Sequence, residues 1–417
     1  MANQKSTSFN ATHAKASTLL AAAVAMFAST AAQAACNTLF EATIVSNGLT
    51  QVICRETIES FYEVAVRDAE NSFPGNTANS LIVSNIRVLG VDAQLTYPAN
   101  TATLNFVVPE LGINETFAGA TRRDSGILLR QYLQDNPNIL GRLQRLQAAN
   151  SPLSPITGPG GVMSQAIFND FNASFLDTPS RIATSQSTAS QGSQNVLGVG
   201  VVLSSHTVAN SKVNAVSIPL SYTVRNDIDP RRQAIVRGGI GLVDTAGSRS
   251  YQGRLSTGYR FPMSDAWVLT PMGGLSFSVS RDVGFAVGVG NASLASTYTW
   301  EFENFDITMG NMLGYYQTFK IPVKYSADPK IQIAALVNGF FLSQPVSFGG
   351  GKMSMEYGFS DTRLGGTKLY QNNSQELTVS LGTNKSALSA RSFLRGTLAV
   401  QRSKDSKGVS LGVNYWF

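Results

Sequence analysis

The chain has 417 residues, 14% of them charged, a formal net charge of +6, and 37 glycines, 22 phenylalanines and 13 tyrosines. So few charges with so many aromatic residues exclude a disordered chain, and beyond residue 34 no apolar run approaches the ~20 residues of a membrane-spanning helix. Two histidines and two cysteines leave little from which to build a metal site, so neither a metal nor another cofactor is expected.

Residues 1–34 carry Lys5 and Lys15 without an acid, then the apolar stretch 18–28, and end in Ala32-Gln33-Ala34. That is the pattern of a secretory signal peptide cleaved after Ala34. Gln33, where a lipoprotein signal would carry a leucine, argues against a lipid-anchored Cys36. Export implies an oxidising compartment, and Cys36 and Cys54 are then read as a disulfide at the mature amino terminus.

The mature chain divides by charge. From Ala35 to Ser190 there are 9 arginines, no lysine and 13 acids; from Gln191 to Phe417 there are 21 basic and 13 acidic residues. Two units in different surroundings are expected: a small α+β head over residues 35–150 and a second unit over 194–417. In the head, Ile58, Phe61, Tyr62, Ala65 and Ala69 recur at helical spacing through Glu56–Phe73, while Leu81–Val91 and Thr101–Val108 read as strands. Asp124 and Ser125 are expected to cap a helix that Asn136-Pro137 breaks, and a second helical set follows through Leu146. Residues 151–193 read as a linker: a Pro/Gly-rich connector over 151–162, a short helix over Ser164–Phe175, and a Ser/Gln/Thr-rich tail.

From about Val196 onward, segments of some ten residues alternate apolar and polar. The last shows it best, with Val409, Leu411, Val413, Tyr415 and Phe417 on one face and Ser410, Gly412 and Asn414 on the other. Twelve strands are predicted, beginning near Val196, Val213, Gln233, Ser250, Ala266, Ser293, Phe305, Lys330, Met353, Glu376, Ser392 and Gly408. A soluble sandwich alternates too, but two features favour a transmembrane β-barrel of about 12 antiparallel strands. Aromatic residues gather at strand ends (Tyr222, Tyr259, Phe261, Trp267, Trp300, Tyr415), as interfacial girdles require. The opposite face carries Arg225, Arg237, Arg254, Arg260, Arg395, Glu301, Asp306, Glu356 and Glu376, which a sandwich core would not bury but a barrel lumen holds. Pro262–Asp265 is read as a periplasmic turn, and the longer breaks at Asn226–Arg232, Ser280–Ala292, Lys320–Asp328, Ser360–Ser374 and Lys404–Lys407 as including the outer loops.

Over residues 190–417 the chain resembles the autotransporter-type outer-membrane barrels. The resemblance rests on the strand count, the segment ahead of the first strand, and Val413, Tyr415 and Phe417, which are similar to the carboxyl-terminal signal read by the barrel-assembly machinery. It implies a barrel in the bacterial outer membrane that anchors or translocates the head, in this case a short one, with residues 164–193 threading the pore. Outer-membrane lipid, lipopolysaccharide and the assembly machinery are the implied partners; a monomer without nucleic acid is expected.

The residues leave two other functions open. In a solute-conducting channel, Arg237, Arg254 and Arg260 opposite acids would set a transverse field; alternatively the lumen charges pair and grip the helix, closing the pore. A hydrolase would need His206 as its base, the one histidine left once His13 goes with the signal peptide; Gly408–Gly412 matches a G-x-S-x-G elbow around Ser410 but lies on the last strand, without the helix such an elbow needs. Arg231-Arg232 could meet lipopolysaccharide phosphates, though a solvated loop is the simpler reading. Gly349–Lys352 lacks the first glycine and the Ser/Thr of a phosphate loop and is a turn. No catalytic role is expected.

Overall fold

In the computed structural model, residues 36–175, 195–229, 231–323, 326–348, 351–383 and 393–416 are described. The signal peptide and Phe417 of the assembly signal lie outside them. The described residues form a six-stranded sheet, four α-helices and a closed barrel of twelve antiparallel strands.

The head sheet holds β1 (Phe40–Ser46), β2 (Leu49–Arg55), β3 (Ile82–Val88), β4 (Val91–Tyr97), β5 (Leu104–Val108) and β6 (Ile113–Phe117), in the order β2-β1-β3-β4-β5-β6. Alternation decides which face is covered. Phe40, Ala42, Ile44, Ile82, Leu95, Leu104 and Phe106 are buried beneath Phe61, Ala65 and Leu129, while Thr43, Asn85, Asn105 and Thr116 lie on the other face. The hairpin β1–β2 is absent from the sequence-based expectation, although Asn47-Gly48, with φ of 50° and 76°, is the residue pair that a two-residue turn demands. Leu89-Gly90 makes the same turn and divides the expected strand Leu81–Val91 between β3 and β4. Both cysteines are disulfide-bonded.

The expected helix over Glu56–Phe73 is α1 (Ile58–Tyr62), followed by a π turn at Glu63–Arg67 and a 3₁₀ turn at Ala69–Ser72. Helices α2 (Arg122–Asp135) and α3 (Pro137–Asn150) meet at Asn136. The cap of α2 is Thr121 rather than Asp124 or Ser125. Thr121 Oγ1 accepts from Asp124 N (3.2 Å), Asp124 Oδ2 accepts from Thr121 N (3.0 Å), and Ser125 Oγ instead donates to Ala102 O (2.6 Å). Arg122 turns into the head and donates to the carbonyls of Ser80 (2.6 Å), Pro98 (3.1 Å) and Thr101 (3.1 Å), tying the loops before β3 and before β5 to the start of α2. Burial pulls its guanidinium below the usual arginine range.

The barrel runs β7 (Val196–Val208), β8 (Ser211–Arg225), β9 (Gln233–Thr245), β10 (Ser248–Pro262), β11 (Trp267–Ser280), β12 (Phe285–Glu301), β13 (Asp306–Phe319), β14 (Gln332–Phe348), β15 (Gly351–Gly366), β16 (Asn373–Thr383), β17 (Phe393–Ser403) and β18 (Ser406–Trp416). It closes where β18 pairs with β7, Leu411 opposite Leu203. Closure leaves no open edge. Leu203, Leu220, Leu255, Leu275, Leu313 and Leu411 mark an apolar belt facing outward on every side, far more than a soluble monomer exposes.

We call the rim where β7 begins and β18 ends the lower rim. The turns that follow Arg225, Pro262 and Glu301 also lie there; those that follow Val208, Thr245, Ser280, Phe319, Gly366 and Ser403 form the upper rim. Thus Asn226–Arg232 shares a rim with Pro262–Asp265 rather than opposing it. The expected break Ser280–Ala292 shrinks to a four-residue turn, because β12 begins at Phe285, and β15 fills much of Ser360–Ser374. Outward aromatics concentrate on the lower rim, where Tyr222, Phe261, Trp267, Tyr298, Trp300 and Tyr415 lie. The head docks on the upper rim: Ile58 N donates to Asp282 O (2.6 Å), Tyr370 N to Ala148 O (2.8 Å), and Ser248 Oγ to Glu56 O.

Replacing Arg122 with methionine leaves at least three carbonyls without their donor, a loss of about 3 kcal/mol. Hydrogen exchange of the full chain in detergent should then quicken in residues 80–101 while the barrel amides are unchanged; equal protection in both proteins contradicts this role for Arg122.

Candidate functional site

The barrel is not empty. Helix α4 (Val162–Phe175) lies in the lumen, and at 1.5 Å per residue its 14 residues extend about 21 Å. It is entered through residues 151–161, expected from sequence to be a loose connector but largely buried in the barrel mouth. Their glycines have a packing role: a Cβ on Gly158 would lie 2.5 Å from Pro152 O, and one on Gly161 2.7 Å from Ile156 C.

One side of α4 is greasy. Met163, Ile167, Phe171 and Phe175 pack on Phe285, Val287, Val289, Met312, Ile333, Val337 and Phe341, which point inward from β12, β13 and β14. The lumen is therefore apolar on this wall and polar elsewhere. This also explains why the start of β12 resembled a break. Phe285–Val289 is apolar or small on both faces and so does not alternate.

Polar contacts fix the helix along its length. Near the upper rim, Gln252 Nε2 donates to Gly160 O (2.8 Å); near the lower rim, Arg260 donates to Ala173 O (2.8 Å) and to Gln233 Oε1 (2.5 Å). A cation on the last carbonyls of a helix also suits its dipole. Between them Arg237 donates to Asn169 O (3.3 Å). The one charge on α4, Asp170, is 4% exposed; its Oδ2 accepts from Asn291 Nδ2 (2.7 Å), Tyr316 Oη (2.8 Å) and Ser293 Oγ (3.4 Å). Satisfied in this way, a carboxylate is tolerated in a packed lumen and fixes both the rotation and the height of the helix.

All nine charges proposed from sequence occupy inward strand positions, but they do not form one row. Arg237 and Arg260 hold the helix. Arg395 pairs with Glu356 (3.1 Å), both nearly fully buried, and lies 5.4 Å from the Trp416 ring centroid. Glu301 and Asp306 are opposite one another at the lower rim, where Arg225 also lies. Arg254 sits on the β10 wall against Gly239. Glu376 lines a cavity of about 70 Å³ beside α4 with Ser164, Phe171, Ser360 and Gln401. Sequence reasoning missed Asp170 and its partners, although a single acid in an otherwise uncharged helix was a usable signal. Val413 and Tyr415 of the expected assembly signal point outward on β18.

Of the remaining candidates, His206 points into the lumen and is 6% exposed, tight against Gly408. Ser410 lies mid-strand in β18 rather than at a strand-to-helix turn. Arg231 is held by Asp229 (3.0 Å) and Asp265 (2.8 Å) on the lower rim. Although burial acts the other way, the Arg231 hydrogen bonds hold the Asp229 carboxyl below its usual range. Among the described residues, no group of three or more side chains is placed to hold a metal ion.

No family model and no curated protein matches the chain. Among solved structures it is similar to the translocator domain of the autotransporter NalP from Neisseria meningitidis, at 14% identity and a TM-score of 0.44, over 61% of this chain and 98% of that one. It is also similar to the beta domain of the Bordetella autotransporter BrkA, at 10% and 0.43, over 54% and 98%. A third is the COG4313 outer membrane channel from Pseudomonas putida F1, at 9% and 0.37, over 55% and 96%. Translocators and a channel thus both appear, and the twelve-strand closure stands on this chain's own strand pairing.

The buried carboxylate provides a test. Asp170→Leu strands the Tyr316 hydroxyl and the Asn291 amide in the lumen, costing about 3 kcal/mol. Circular dichroism of the detergent-solubilised protein should show a lower unfolding temperature, with Asp170→Asn in between. Unfolding at the wild-type temperature in both variants would mean that the carboxylate does not hold the helix.

Proposed function

We propose that this chain is an outer-membrane barrel of autotransporter type that carries a small head on the outer face of the membrane, tethered through its own lumen. The observation that supports this best is the path of α4. The connector into it leaves the head at the upper rim, where Gln252 holds Gly160; Arg260 holds Ala173 of α4 near the other rim, and β7 then starts from the lower rim. A chain that passes through its own barrel keeps the head attached without a separate anchor. The outward apolar belt supplies the membrane contact, and closure satisfies the backbone groups that lipid cannot.

Anchoring is favoured over solute conduction. The cavities that Phe171 of α4 lines with Ser164 and Glu376, and with Phe175 and Thr378, measure about 70 and 10 Å³, room for a few waters rather than for a solute. A non-catalytic role agrees with the placement of His206 and Ser410 on barrel strands, the histidine packed away from bulk water.

Export of the head is tested by protease treatment of intact cells. Loss of an epitope placed within residues 36–150, with the barrel fragment retained in the membrane fraction, is expected. A head that is cut only after the outer membrane is opened would place it in the periplasm and refute the reading.

A further inference from the structure

Both rims carry charges of either sign, but they are arranged differently. On the upper rim Lys212, Arg249, Lys330, Lys368, Arg402 and Lys407 accompany Asp244, Asp282, Asp328 and Asp405, whereas Asp227, Asp265, Glu301, Glu303 and Asp306 lie with Arg225, Arg231 and Arg232 on the lower one. Three of the upper cations form part of a single row across four neighbouring strands. Arg402 is opposite Lys407, Lys407 opposite Thr207, and Thr207 opposite Lys212. All four side chains are exposed and share the outward face with Leu398, Leu411, Leu203 and Val216.

The row has a cost. Arg402 and Lys407 are like charges directly across a strand pair, a destabilising arrangement. Among the described residues no ion pair or hydrogen bond joins the side chain of Arg402, Lys407 or Lys212 to an acid. On the lower rim, by contrast, Arg231 is already neutralised by Asp229 and Asp265. An anion on the upper row would relieve the repulsion and be held by a guanidinium fork and two ammonium groups.

We propose that Arg402, Lys407 and Lys212 form a binding site for a phosphorylated lipid headgroup in the leaflet on the head's side of the membrane. This rests on the membrane reading above. Two observations select a lipid. The row faces outward rather than into the lumen, and it lies just past the apolar belt, beyond the intervening Ser205–Asn214 hydrogen bond (2.7 Å), at the level a headgroup would occupy. At about 4.8 Å between strands, four strands span about 14 Å, a width that suits a headgroup with two separated phosphates better than a single phosphate ion. Bound there, the lipid would brace the β17–β18–β7–β8 arc, which contains the strand pair that closes the barrel.

The test uses the full chain in neutral detergent, titrated with bisphosphorylated lipid A or with phosphatidylcholine and read by native mass spectrometry. Tighter binding of lipid A by about tenfold or more is expected, together with a loss of about tenfold or more in the variant Arg402→Gln/Lys407→Gln/Lys212→Gln. Arg231→Gln/Arg232→Gln should bind as the wild type does. Equal affinity of the triple variant, equal affinity for phosphatidylcholine, or displacement of lipid A by millimolar inorganic phosphate would overturn the proposal. Flotation with liposomes separates the two claims: a chain that never floats refutes the membrane reading and this site with it, whereas one that floats without preferring lipid A refutes the site alone.

Discussion

The structure depends on one constraint, that each strand of the second unit pairs with a neighbour on both sides in a closed ring of twelve. Closing β18 onto β7 frees the outer face from any need for water, so it can be leucine, valine and aromatic residues throughout. The same closure creates an interior in which side chains must either fill space or find partners. The chain meets that demand with its own segment. Met163, Ile167, Phe171 and Phe175 of α4 cover the apolar wall of β12–β14, and Asp170, with the arginines of β9 and β10, settles the polar remainder. On the function proposed above, filling the pore and tethering the head are one structural solution.

The two rims differ in a way that gives the barrel a direction. Tyrosine, tryptophan and phenylalanine crowd the lower rim, while most of the described lysines, Lys352 excepted, and the head occupy the upper rim. Nothing in the pairing of strands requires this asymmetry. It matches a membrane whose two leaflets present different chemistry, with amphipathic rings suited to one interface and cations to an anionic surface at the other.

Much of the barrel could be read from the sequence, because period two is explicit wherever one face meets polar groups. The strand starts at Val196 and Gln233 match the structure, and those near Trp267 and Asp306 fall within a residue of expectation. The exception is the start of β12. There Phe285, Val287 and Val289 meet the apolar side of α4, so both faces are greasy and periodicity vanishes; the information lay in a partner distant in sequence. The head was harder. Its first hairpin was legible in Asn47-Gly48 between alternating apolar residues and was not used, whereas the π turn after α1 has no local signature. Of the site, the inward charges follow from strand parity, but which of them grip α4 depends on the height of the helix, set by Asp170 against Asn291, Ser293 and Tyr316. No single segment encodes that distance.

The central claim is the division between a lipid-facing exterior and a filled interior, and β18 tests it most directly. Single spin labels at Val409, Ser410, Leu411, Gly412 and Val413, in protein reconstituted into liposomes, would be probed with oxygen, which partitions into lipid, and with a water-soluble nickel chelate. The account predicts that 409, 411 and 413 are reached by oxygen and protected from nickel, while 410 and 412 are shielded from lipid. Uniform access to nickel along the strand, or no alternation at all, would contradict a closed barrel in the membrane.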